Sequence, residues 1–132
     1  MQLAPYISFL LVIAALTMAV CQNTAPFTQE PARYYNVQTR LWDNDLVQFH
    51  ITLSGTQSAE QVVRYAECAA AQYTLIRGFG FTRHVRTRIG QQADRRSADA
   101  VYTISRSLPQ GTKTIDAEVV ADACARDNIP MV

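Results

Sequence analysis

The side chains of this 132-residue sequence that could do chemistry are two histidines, three cysteines and a cluster of arginines. His50 lies in "DLVQFHITLSG" and His84 in "FGFTRHVRTRI", two stretches in which polar and apolar residues alternate. Residues two apart in a strand share a face. Val47, Phe49, Ile51 and Leu53 therefore share the core side of one strand, with Gln48, His50 and Thr52 opposite. In the other strand Phe79, Phe81, Val85 and Ile89 take the core side, and Thr82, His84, Arg86 and Arg88 face away.

An outer face carrying His50, His84, Arg86 and Arg88 suits two chemistries. One is binding of an anion, and the other is acid and base cleavage of a phosphodiester. The plainer reading is a solvated face whose charges keep the sheet soluble and its edges unpaired. The histidines have no acidic partner beside them in their strands, and no CxxC or HExxH spacing occurs, so neither a metal nor a cofactor is expected. The "GFG" at 78–80 precedes a strand rather than a helix, which suits helix termination and not a phosphate loop. Rings and arginines alternate in "RGFGFTRHVRTR", placing them on opposite faces, and stacking with phosphate contact needs them together. Nucleic acid is therefore not an expected partner.

The cysteines point to an address. Residues 7–20, "ISFLLVIAALTMAV", are uncharged and apolar, too short for a spanning helix of about twenty residues and of the right length for a signal-peptide core. Thr17 and Ala19 would suit an ordinary signal peptidase. The box Met18, Ala19, Val20, Cys21 suits lipoprotein processing, with Val20 where a small residue is usual. An odd cysteine count in an exported chain calls for a separate fate for one thiol. Lipidation of Cys21 leaves Cys68 and Cys124 free to pair in an oxidising compartment.

These residues need elements to position them. With 48% hydrophobic and 17% charged residues the composition is that of a globular chain, and a net charge of +1 exerts no global pull on polyanions. The charge is nonetheless segregated: seven arginines against two aspartates leave residues 77–106 at +5, and the following tail is acidic. A signal peptide over 1–20 and a Pro/Thr/Asn/Gln-rich tether over 21–33 precede a single domain over 34–132. "RYYNVQTRLW" and "DLVQFHITLSG" read as a strand pair, then Ser58 opens a long helix that Gly78 ends. "FGFTRHVRTRI" and "ADAVYTISRSL" follow as strands about the loop "GQQADRRS", and Asp116 caps a last short helix stopped by Asn128 and Pro130. The expectation is an α+β fold of order ββαββα, a four-stranded antiparallel sheet with two helices on one face.

"MAVC" and the passage "YAECAAAQYTLIRGFGFTRHV" resemble the small lipoproteins of proteobacterial envelopes. The resemblance implies an acylated domain facing the periplasm or the cell surface, and it carries over no catalytic residue. The expected function is a non-enzymatic binding or structural module, held to a membrane by an N-terminal lipid and meeting an envelope protein or an anionic ligand. The alternative is a secreted hydrolase or inhibitor that uses the His/Arg face.

Overall fold

The computed structural model describes residues 31–55 and 58–131; the expected signal segment, Cys21 and the expected tether as far as residue 30 lie outside the described residues. Among the latter the order is βββαβββα: β1 (Arg33–Tyr34), β2 (Gln38–Leu41), β3 (Leu46–Ser54), α1 (Ala59–Ile76), β4 (Phe81–Gln92), β5 (Arg95–Ser105), β6 (Thr114–Asp116) and α2 (Ala117–Arg126). The strands form one antiparallel sheet in the order β1-β3-β5-β4-β6, with β2 also pairing β3. The fold is α+β, but the expected four-stranded sheet of order ββαββα is wrong.

Each departure has a local cause. The single strand expected over "RYYNVQTRLW" breaks in two where its register on β3 shifts by one residue, between Tyr34 opposite Leu53 and Gln38 opposite His50, and the Tyr65 hydroxyl donates to the Tyr35 carbonyl at 2.6 Å inside that break. The eight-residue loop expected between the next two strands is a two-residue turn, Ala93 and Asp94, with Gln92 paired to Arg95. Ala93 takes φ 53°, a region that suits glycine, so its identity hid the turn. The three residues of β6 pair with Phe81, Thr82 and Arg83 at the β4 edge.

The core sits between the sheet and α1. Val47, Phe49, Ile51 and Leu53 are fully buried and meet Val62, Tyr65, Ala66, Ala69 and Ala70 of the helix. Ser58 caps α1 by accepting from the Glu60 N–H at 3.0 Å. At the other end Gly78 adopts φ 78°, and Phe79 N–H donates to the Thr74 carbonyl while Gly78 N–H donates to that of Leu75. That pair of bonds is the Schellman ending, which needs a left-handed residue where Gly78 stands. Asn128, at φ 54°, ends α2 in the same way, and Asp116 caps its start on the N–H groups of Glu118 and Val119.

The second helix does not share the sheet face equally, as expected for a pair. It packs on α1 through Ala71, Ala117 and Ala121 and meets the sheet at β6. A disulfide joins Cys68 to Cys124 with Cα atoms 5.9 Å apart, and both residues are fully buried. No described helix is long and apolar enough to cross a membrane.

Candidate functional site

Strand register decides which polar residues meet on the outer face. Across β3 and β5, Val47 pairs with Tyr102 and Phe49 with Ala100, all buried toward α1, whereas Gln48 pairs with Val101 and His50 with Asp99 on the other side. The β4 strand then adds Arg86 opposite Val101 and Arg88 opposite Asp99. β2 adds Arg40 beside Gln48 and Gln38 beside His50. Two cross-strand rows result, Gln38-His50-Asp99-Arg88 and Arg40-Gln48-Val101-Arg86. Side chains in such rows lie about 5 Å apart, within direct reach of one another.

His84 is absent from this face. Between His84 and Arg86 the β4 register shifts by one residue, with Val85 as the extra member. A bulge of this kind reverses the alternation beyond it. Before the bulge Thr82 and His84 point toward the helices; after it Arg86 and Arg88 point away. Thr82 is buried, its hydroxyl donating to the Thr103 carbonyl at 2.8 Å. The His84 ring lies edge-on to Tyr102 with centroids 5.2 Å apart, and its Nε2 is 2.7 Å from Thr87 Oγ1. Burial lowers the His84 pKa, Lys113 lowers it further, and Glu67 opposes them. Phe81 and Val85, expected in the core, are half-buried and exposed. Of the four residues expected on the outer face, His50, Arg86 and Arg88 are brought together there.

An open cleft of about 310 Å³ is lined by Gln38, Thr39, Arg40, Gln48, His50 and Asp99. Asp99 Oδ1 accepts from His50 Nδ1 at 2.9 Å and from Gln48 Nε2 at 3.3 Å. An ionised carboxylate only accepts, so Nδ1 is the donor of the shared bond and Nε2 is the ring nitrogen that this bond leaves unused. Both partners are close to half exposed, 44% and 41%, so the pair adds little to stability. Arg40 lines the cleft and Arg88 stands opposite Asp99 in the same cross-strand row, two guanidinium donors suited to a phosphate or carboxylate oxygen. Among the described residues no group of three His, Cys, Asp or Glu could hold a metal ion.

Sequence reasoning missed Asp99 and Arg40 as members of the site. Alternation did put Asp99 on the outer side of its strand, opposite Ala100 and Tyr102, but its pairing with His50 follows from inter-strand register. A larger groove of about 820 Å³ runs along the start of α1 past Asp127 and Ile129. Its cation, Arg64, is engaged with Glu67 at 3.4 Å and Asp127 at 3.5 Å, so it offers an anion less than the sheet face does.

Comparison with known proteins gives two likenesses. A family model described as the YNQ4 C-terminal domain matches residues 34–128. A Paracoccus denitrificans protein, described as an uncharacterized 26.9 kDa protein in the nqo8 5' region, is 26% identical over 87 residues, covering 66% of this chain and 34% of that protein. The chain thus spans about a third of the length of that relative. No solved structure matches.

Proposed function

We propose, from the premise that the chain belongs to the YNQ4 C-terminal domain family, that it is an exported, lipid-anchored envelope protein whose domain is a non-enzymatic binding module for an anionic partner. The observation that carries the binding reading is the outer sheet face, where His50 and Arg88 flank Asp99 and Arg40 and Arg86 stand in the neighbouring row. The address is supported by the apolar run at 7–20 ending beside Cys21, and by the Cys68–Cys124 disulfide, a bond that persists in oxidising compartments. Cys21 carries the lipid, and the tether holds the domain at the envelope.

A face of this kind binds by charge. Its affinity falls steeply with salt, because guanidinium groups that meet a polyanion release its counterions. The test is titration of the full chain, in neutral detergent, with inorganic polyphosphate at several salt concentrations. Binding that weakens with salt, and that weakens about tenfold in Arg86→Ala/Arg88→Ala, supports the reading. Absence of binding at low salt overturns it.

One observation favours a second reading, a secreted hydrolase: the His50–Asp99 pair leaves an imidazole nitrogen available as a base. Turnover of a simple phosphodiester by the full chain, abolished by His50→Ala, would replace the binding reading with this one.

A further inference from the structure

We infer that the outer sheet face is a membrane-docking surface, which lays the domain on the anionic phosphate headgroups of the bilayer that holds its anchor. This rests on the lipid-anchored reading above and goes beyond it by naming the partner. Three features converge on it. The first is the polarity of the domain. Arg40, Arg83, Arg86 and Arg88 stand on the outer face against Asp99, whereas α1, α2 and their capping residues carry Glu60, Glu67, Asp116, Glu118, Asp122 and Asp127 against Arg64, Arg77 and Arg126. The helices cover the other side of the sheet, about 10 Å away. That is about one Debye length at physiological salt, so a charged plane below the sheet feels the arginines and little of the helix layer. A flat anionic surface therefore orients the domain in one way.

The second feature is Trp42, 47% exposed at the end of β2, with the Arg86 guanidinium 5.8 Å from its ring centroid. A tryptophan beside a cation is the pair that settles at the boundary between headgroups and acyl chains. The bulge residue Val85, next to Arg86, is also exposed, 46%, adding apolar surface beside that cation. The third is reach. Cys21 and Arg33 are separated by eleven residues, whose extended length is at most about 40 Å, enough to let a sheet of this size lie flat beside its anchor.

Trp42 is the only tryptophan of the chain, so its fluorescence reads docking directly. The full chain is reconstituted into vesicles of phosphatidylcholine alone or with about one third phosphatidylglycerol. In the anionic vesicles the emission should shift to the blue and become shielded from acrylamide, and high salt should reverse both changes. In neutral vesicles, where the anchor is the same, neither change should occur. Each basic residue near an anionic surface contributes about fivefold, so Arg86→Ala/Arg88→Ala should lower docking about 25-fold. Trp42 emission that ignores lipid charge overturns the inference. If polyphosphate binds and the vesicles do not shield Trp42, the anion-binding reading stands and membrane docking falls. If the chain carries no acyl mass and anionic vesicles still shield Trp42, docking stands and the anchor reading falls.

Discussion

Removing the disulfide by Cys68→Ala/Cys124→Ala should cost the protein a large part of its margin of stability. The bond closes a loop with a sequence separation of 56 between the cysteines, and in the chain-entropy account such a crosslink contributes about 4 kcal/mol. A small domain has only about 5 to 15 kcal/mol in total. The loss should fall first on α2, which meets α1 through alanines and so buries little apolar area of its own. The assay is urea unfolding of the full chain followed by circular dichroism. With a slope of about 1 to 2 kcal/mol per molar urea, the midpoint should drop by about 2 to 4 M. Hydrogen exchange adds the location: amides of α2 should lose protection before those of β3 and β5 do. A midpoint unchanged by the double substitution, or α2 amides as protected as before, would refute the reasoning.

Three further outcomes follow from the same structure. Ala93→Gly should stabilise the protein by about 0.5 to 1 kcal/mol in the same urea assay, because glycine takes φ 53° without the penalty alanine carries there. Tyr102→Phe should leave stability unchanged or raise it by up to about 1 kcal/mol, since the buried Tyr102 hydroxyl has no hydrogen-bond partner among the described residues. His84 has a lowered pKa in the folded state, so the unfolded chain binds its proton first. Stability should therefore be full above about pH 6.5 and fall as the pH drops below it, and His84→Gln should flatten that part of the profile measured by urea midpoints.

The parts of this fold that sequence patterns reveal are those set by neighbours along the chain. The buried side of β3, the Gly78 and Asn128 endings, and the Ser58 and Asp116 caps all follow from local spacing. The cysteine count pointed to the Cys68–Cys124 bond because a lipidated Cys21 would leave these two together. What stayed hidden depends on contacts between distant segments. The bulge at Val85 turns Thr82 and His84 inward, yet residues 81–89 alternate smoothly enough to conceal one extra residue. The break after Tyr34 is a one-residue shift in register against β3, and the hydroxyl that bonds the Tyr35 carbonyl there lies thirty residues away, on α1. His50 and Asp99 are separated by 49 residues and meet only because β3 and β5 pair in one register.

That separation also explains why alternation along the strands groups His50 with His84. His50 has its carboxylate partner on the neighbouring strand, and His84 belongs with Tyr102 and Thr87 beneath the helices. The arginines of the outer face hold one polar side of a sheet whose opposite side is the core. Among the described residues the two outer-face rows carry one carboxylate, Asp99, against Arg40, Arg86 and Arg88, and the proposed anionic partner rests on that imbalance.

The central claim is that this face belongs to a protein held at the envelope by a lipid on Cys21. Intact mass of the mature protein, purified from membranes without reduction, tests it most directly. The account predicts a chain beginning at Cys21 that carries acyl mass and lacks two hydrogens for the Cys68–Cys124 bond. A chain beginning at Val20 without acyl mass would contradict it.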